Sequence, residues 1–96
     1  REREIRWIQE QLNTGVRLLT LTGPGGTGKT RLALEAGRRH AAAAEMAAWF
    51  VPLASVTQGS AVPEQLAVTF GMRGLEAREA PTAVLEYLRG AGRCLV

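Results

Sequence analysis

Apolar residues near the start of the chain recur first at helical spacing and then in a short run. Ile5, Ile8 and Leu12 fall on one face of a helix, with charged residues opposite. The next stretch, Val16–Thr22, is short and mostly apolar, which predicts a strand buried on both faces. It leads into Gly23–Gly28, which is too rich in glycine for a helix or strand and predicts a loop.

The same alternation continues to the end of the chain. Lys29–Glu45 is rich in Ala, Leu, Arg and Glu and predicts a long helix, whereas Trp49–Leu53 predicts a second short strand. Two more helices are expected to begin at Pro63 and Pro81, because proline is favoured in the first turn. A third strand begins at Arg93. This order predicts an α/β fold with a parallel sheet and helical crossovers.

These elements divide the chain into three stretches. Residues 1–15 form a leading helix, residues 16–44 form a strand, a loop and a helix, and residues 45–96 form a second strand, two helices and the start of a third strand. The first residue is Arg1 and the last four, Arg93–Val96, are a mostly apolar run with no turn residue after it. We therefore expect an excerpt of a longer protein: the N-terminal part of one domain, with an incomplete sheet of three core strands.

Composition narrows the classes of protein. The 96 residues are 46% hydrophobic with net charge +3, and the basic residues are scattered, which is weak evidence for nucleic-acid binding. The densest basic group, Arg38-Arg39-His40, predicts a solvated helix end. The single cysteine, Cys94, excludes a disulfide scaffold within these residues, and no apolar run reaches the ~20 residues of a membrane span. Trp7 and Trp49 are expected in the core or on a sheet face.

Residues 23 to 30 carry the strongest chemical signal. Their sequence, Gly-Pro-Gly-Gly-Thr-Gly-Lys-Thr, matches G-x-x-x-x-G-K-[ST] at every fixed position. Glycines let a phosphate chain approach the backbone, whose N–H groups and following helix N-terminus then bind the anion. Lys29, the only lysine, is predicted to act in catalysis by neutralising the β and γ phosphates, and the Thr30 hydroxyl is predicted to bind Mg²⁺. The predicted nucleotide-binding residues of this segment are Gly23, Pro24, Gly25, Gly26, Thr27, Gly28, Lys29, Thr30 and Arg31.

The acidic residues limit what this motif implies. All nine are Glu, whereas P-loop enzymes also hold Mg²⁺ through an acidic residue, usually Asp, on a later strand. The sequence therefore specifies phosphate binding and leaves hydrolysis open. Two alternatives remain: a small-molecule kinase and a non-hydrolysing module that binds ADP. The residues following Val96 would discriminate between them, since Asp-Asp or Asp-Glu favours hydrolysis, a single Asp leaves the kinase open, and no acidic residue favours the binding module.

Three segments resemble the start of the nucleotide-binding domain of STAND ATPases, and in particular the NB-ARC or AAA-type ATPases of large bacterial LuxR-type and SARP-type transcriptional regulators. These segments are Arg1-Glu2-Arg3-Glu4, residues Leu18–Ala33, and Trp49–Ala54. The resemblance implies that Arg1 contacts the nucleotide near its base. It also implies that the strand from Arg93 begins the Walker B strand, and that a strand outside these residues lies between it and the loop-bearing strand.

The same resemblance implies a cytoplasmic signalling switch. Its cofactors would be ATP or ADP with Mg²⁺, nucleotide state would control assembly, and slow hydrolysis would reset it. Self-association would belong to the intact protein, and DNA would be contacted only through regions outside this chain. We expect no membrane partner.

Overall fold

The computed structural model describes residues 1–26 and 28–96, so the prediction made for Thr27 lies outside the described residues. These residues form two compact units, Arg1–Ala48 and Trp49–Val96. The helices are α1 (Glu2–Asn13), α2 (Lys29–Ala44), α3 (Val62–Thr69) and α4 (Ala80–Ala91), with 3-10 turns at Gly59–Ala61 and Ala77–Glu79. The strands are β1 (Ala47–Ala48) and β2 (Cys94–Leu95), which make a two-stranded parallel sheet. This mixture of helix and parallel strand agrees with the predicted α/β class.

The first predicted strand is wrong. Val16–Thr22 belongs to no strand among the described residues, because a strand needs a hydrogen-bonded neighbour and the two-stranded sheet does not include this segment. Burial also alternates here: Leu19 and Leu21 point toward a core, whereas Leu18 is 84% exposed. The segment therefore has one buried face, where the sequence predicted two.

The second predicted strand, Trp49–Leu53, is also wrong in position. The structure assigns β1 to the two alanines before it, Ala47–Ala48, and gives Trp49–Leu53 no regular structure. Its first residue nevertheless takes part in backbone pairing, since the Trp49 N–H donates to the Leu95 carbonyl at 2.9 Å. The third predicted strand, from Arg93, is confirmed as β2.

Helix starts were predicted better than helix ends. Pro63 and Pro81 both lie in the first turn of their helices, as predicted. The predicted end at Gly90 is wrong, because α4 continues to Ala91 and stops before Gly92, whose φ of +71° is unfavourable for other residues. A glycine inside a helix is tolerated at a modest cost, so Gly90 alone does not stop it.

The first unit is built on the contact between α1 and α2. Ile5 and Ile8 of α1 are buried with Ala36 of α2, which has no exposed surface. Four partly buried residues pack around these three: Leu12, Leu19, Leu21 and Leu32. The helical face predicted from Ile5, Ile8 and Leu12 is therefore confirmed as the core-facing side of α1.

The second unit has an aromatic core. Trp49, Phe70 and Tyr87 contact one another, with Trp49 edge-on to both partners and the Phe70 and Tyr87 rings stacked 4.6 Å apart. Buried Ala67 and Val84 complete the cluster between α3 and α4. The expectation of a core position holds for Trp49, whereas Trp7 is 48% exposed and does not meet it.

The basic group of α2 was predicted wrongly as a solvated helix end. The helix continues to Ala44, and only Arg38 is strongly exposed. Arg39 donates from both Nη atoms to the Glu2 carboxylate of α1 at 3.0 Å each, and His40 is buried. The sequence pattern could not show this, because Glu2 lies far from Arg39 along the chain.

The charges of this contact form a small network. Glu35 accepts from Arg39 Nε at 2.9 Å and from Arg38 Nη2 at 2.6 Å. Hydrogen bonds from Arg39 lower the pKa of Glu2, and those from Arg38 and Arg39 lower the pKa of Glu35, both below the ordinary 4.5. The same bonds raise the pKa of Arg39. The α1–α2 contact thus combines an apolar centre with a charged margin.

No helix in the described part of the chain is long and apolar enough to cross a membrane.

We expect Ala36→Leu to lower the free energy of unfolding by about 1–3 kcal/mol, because the added methylenes have no space between α1 and α2. Urea unfolding followed by far-UV circular dichroism measures this. Ala42→Leu is the matched control, since Ala42 is exposed on the same helix and its change should stay within about 0.5 kcal/mol. Equal losses from both variants would contradict the packing assignment.

Low pH should reduce the stability of the first unit. A carboxylate whose pKa is lower in the folded state stabilises that state above its unfolded pKa and loses this effect as pH falls through its folded pKa. We therefore expect the free energy of unfolding to fall as pH is lowered below about 4.5, and to fall less steeply in Glu2→Gln and Arg39→Gln. Urea unfolding between pH 3 and 7 measures the slopes, and slopes equal to that of the unsubstituted chain would contradict the network.

Candidate functional site

The start of α2 is arranged to attract an anion. Gly28 precedes the helix with φ +80°, and its carbonyl accepts the first helical hydrogen bond from the Leu32 N–H at 2.9 Å. The N–H groups of Lys29, Thr30 and Arg31 have no acceptor within a helix that begins here, so they carry its positive end. An anion placed at this end would receive hydrogen bonds and a favourable field together.

Lys29 ties the two ends of the glycine loop together. Its Nζ donates to the Gly23 carbonyl at 2.6 Å and to the Pro24 carbonyl at 2.7 Å. An ammonium has three N–H donors, and these two bonds account for two of them. Binding the carbonyl oxygens to a cation also prevents them from presenting partial negative charge to a phosphate. The lysine therefore shapes the loop as well as supplying charge.

Arg1 lies against the last glycine of the motif. A Cβ built on Gly28 would come within 2.5 Å of Arg1 Nη2 and 3.2 Å of Arg1 Cζ. The positive φ favours glycine at this position, whereas the Arg1 guanidinium is the far end of a flexible side chain and would have to move aside for a Cβ. The family resemblance alone predicted Arg1 as a nucleotide contact, and the structure places its guanidinium beside the last glycine of the loop.

The remaining predicted residues lie on the exposed side of the loop. Gly25 and Gly26 form a turn in which Gly26 has φ +78°, and Thr30 and Arg31 are exposed in the first turn of α2. That first turn contains no acidic residue. The side chains of this turn therefore do not offset the positive end of the helix.

A metal ion would find few protein ligands here. Within residues 1–26 and 28–96, no group of three or more His, Cys, Asp or Glu side chains is placed to hold one. Mg²⁺ characteristically keeps several waters and binds through one or two protein groups together with substrate phosphates. The exposed Thr30 hydroxyl fits that role, which is the one that the sequence predicted for it.

Two residues that connect the helices of the site could not be predicted from the sequence. Glu2 and Arg39 join α1 to α2 and so connect the helix that carries Arg1 to the helix that carries Lys29. The only signal in the sequence was the Arg-Glu-x-Glu start, where the resemblance assigned a role to the arginine alone. His40 and Cys94 gain no chemical role: His40 is a buried residue of α2, and Cys94 is a half-buried free thiol on β2.

The second unit has a shallow cavity of about 420 Å³. Its lining belongs entirely to that unit and includes Glu64, Met72 and Arg73. None of the predicted nucleotide-binding residues contributes to it. The cavity is mainly apolar and gives no reason to move the candidate site away from α2.

Comparisons of the chain with known protein families, with curated protein sequences and with solved structures find no match.

Replacing Gly28 should damage the first unit. We expect Gly28→Ala to lower the free energy of unfolding by about 1–2 kcal/mol, because alanine disfavours a φ of +80°. The new methyl group would also displace the Arg1 guanidinium. Urea unfolding measures the loss.

Gly90→Ala provides a control of opposite sign. Gly90 lies inside α4, and a Cβ there would meet no atom within 4 Å. Alanine at this position should stabilise the chain by about 0.5–1 kcal/mol. Stabilisation by Gly28→Ala as well would contradict the strained loop geometry.

Proposed function

We propose that the chain is an ATP- or ADP-binding P-loop module. The observation that carries the proposal is the position of Lys29, whose ammonium donates to the Gly23 and Pro24 carbonyls at the positive end of α2. Glycine at both fixed positions of the motif and cationic side chains at the loop support a polyphosphate ligand over a neutral one. The ribose and base would be recognised outside this segment.

Different groups of the loop would bind different parts of the nucleotide and its Mg²⁺. Backbone N–H groups at the start of α2 would hold the phosphate oxygens, and Lys29 would neutralise charge on the β and γ phosphates. Thr30 would provide a hydroxyl ligand to Mg²⁺, with phosphate oxygens and water as the other ligands. Mg²⁺ would supply charge neutralisation and orientation of the phosphate chain. Arg1, beside Gly28, would add a second cationic side chain.

The wider role follows from the resemblance to STAND ATPases. We infer a P-loop NTPase fold for the intact domain and a cytoplasmic signal-transduction ATPase, part of a transcriptional regulator, for the intact protein. Nucleotide state would act as the switch, which requires that two conformations differ in their affinity for ATP and ADP. The α/β composition and the strand-like alternation of burial before the loop support this fold.

The phosphate-loop assignment is tested by Lys29→Ala. We expect this variant to weaken Mg·ATP binding about tenfold or more, because it removes a charge-assisted hydrogen-bond donor to phosphate. Isothermal titration calorimetry measures the dissociation constant, and far-UV circular dichroism checks that the variant is folded.

Arg89→Ala is the matched control. It removes one positive charge from the exposed last turn of α4, away from every predicted site residue in the sequence, and should leave the affinity unchanged. If Lys29→Ala binds Mg·ATP as tightly as the unsubstituted chain, or if the unsubstituted chain does not bind it, the proposed function is wrong.

A further inference from the structure

The ion pair between Arg39 and Glu2 fixes the position of α1, the helix that Arg1 immediately precedes. Arg39 Nη1 and Nη2 donate to the two oxygens of Glu2 at 3.0 Å each, which is the parallel two-bond geometry of a strong arginine–carboxylate pair. Arg39 Nε also donates to Glu35, one turn back on its own helix. Glu35 of α2 therefore orients the Arg39 guanidinium, which in turn binds Glu2 of α1.

Arg1 and Glu2, which are adjacent in the sequence, contact opposite ends of the same stretch of α2. The Arg1 guanidinium lies beside Gly28, immediately before the helix begins, whereas the Glu2 carboxylate binds Arg39. Arg39 lies about 15 Å further along the helix axis than Lys29, at 1.5 Å per residue. Between these points Ile5 packs on Ala36. If α1 slid or rotated on α2, the Glu2–Arg39 ion pair would therefore break, and the same movement would take Arg1 away from Gly28.

Arg38 is a useful comparison for Arg39, because it has the same charge but no bond to α1. It lies next to Arg39 in the sequence and also binds Glu35, but its bonds stay within α2. Its side chain is 69% exposed, against 36% for Arg39. The two arginines carry the same charge, and only Arg39 connects the two helices.

We propose that the Glu2–Arg39 ion pair positions Arg1 at the phosphate loop, so that the guanidinium meets the phosphates of the bound nucleotide. This rests on the proposed nucleotide-binding function and deepens it. The family resemblance implied a contact near the base, whereas Gly28 immediately precedes the lysine that neutralises the phosphates. Glu2 and Arg39 are positioning residues, since they act through Arg1.

The test is a double-mutant cycle on Mg·ATP affinity measured by calorimetry. We expect Arg1→Ala to weaken binding about tenfold, through loss of a charge-assisted hydrogen bond, and Glu2→Gln to weaken it about threefold to tenfold. The double variant should bind no more weakly than Arg1→Ala alone, because Glu2 acts only through Arg1. Multiplying effects would show that Glu2 acts separately and would overturn the proposal.

The sign of the Glu2 effect excludes simple electrostatics. Removing a carboxylate makes the chain more positive, which by itself would strengthen binding of an anion. Weaker binding therefore indicates lost positioning. Arg39→Gln should weaken binding like Glu2→Gln, whereas Arg38→Gln, with the same change in charge, should leave the affinity unchanged. Equal effects of the two arginine variants would contradict the proposal.

Inorganic tripolyphosphate, which has no base, tests where Arg1 acts. Arg1→Ala should weaken tripolyphosphate binding by about the same factor as Mg·ATP binding, and an unchanged tripolyphosphate affinity would place the contact elsewhere on the nucleotide. If the unsubstituted chain binds neither ligand, the proposed function itself fails. If it binds both and Glu2→Gln binds both equally well, only the positioning proposal fails.

A conservative variant keeps the test decisive if Glu2→Gln is poorly folded. Arg39→Lys keeps the positive charge beside Glu2 but lacks the planar fork that meets both carboxylate oxygens. We expect it to weaken Mg·ATP binding, because one orientation of α1 is no longer enforced. A folded Arg39→Lys variant, shown by far-UV circular dichroism, with unchanged affinity would contradict the proposal.

Discussion

The packing of Ile5 and Ile8 on Ala36 is the contact on which the first unit depends. Ala36 has no exposed surface, and its small side chain lets α1 lie close to α2. The same cluster includes Leu21, two residues before the glycine loop begins, and Leu32, at the end of the first turn after it. Both ends of the loop are therefore anchored in one core. The glycines of the loop can adopt positive φ because they lack a Cβ. The hydrophobic contacts that hold the two ends of the loop are made by its neighbours, Leu21 and Leu32.

The Glu2–Arg39 ion pair then sets the relative orientation of α1 and α2. Side-chain pairs at the surface contribute little to stability, because water screens them and their side chains lose freedom. Apolar packing also allows a helix to rotate with only a gradual loss of energy, whereas the two parallel hydrogen bonds between Arg39 and Glu2 require one relative orientation. The ion pair thus contributes mainly geometry. It selects the rotation of α1 that brings Arg1 to Gly28, among the rotations that burial of Ile5 and Ile8 would permit.

The features predictable from the sequence are those decided by neighbouring residues. Pro63 and Pro81 mark helix starts through their fixed φ, and the residue types of the glycine loop predict its course with no knowledge of the rest of the chain. Strands were harder, because a strand exists only beside another: Val16–Thr22 has the right composition and still belongs to no strand of the described residues. Arg39 was predicted wrongly for the same reason, since its partner Glu2 lies in a distant part of the sequence.

The use of lysine and arginine in this unit follows from the shapes of their charged groups. Lys29 must fit its charge inside a tight loop and bind two carbonyls, Gly23 and Pro24, that lie close together in the chain. A compact ammonium does this, whereas a planar guanidinium is too wide and its donors are fixed in one fork. Arg39 has the opposite task, because it must meet both oxygens of one carboxylate while a further N–H binds Glu35. Only the fork provides that arrangement. A chain with one lysine and eleven arginines therefore places its single lysine where a compact charge binds two neighbouring carbonyls, and uses an arginine where a planar fork meets a carboxylate.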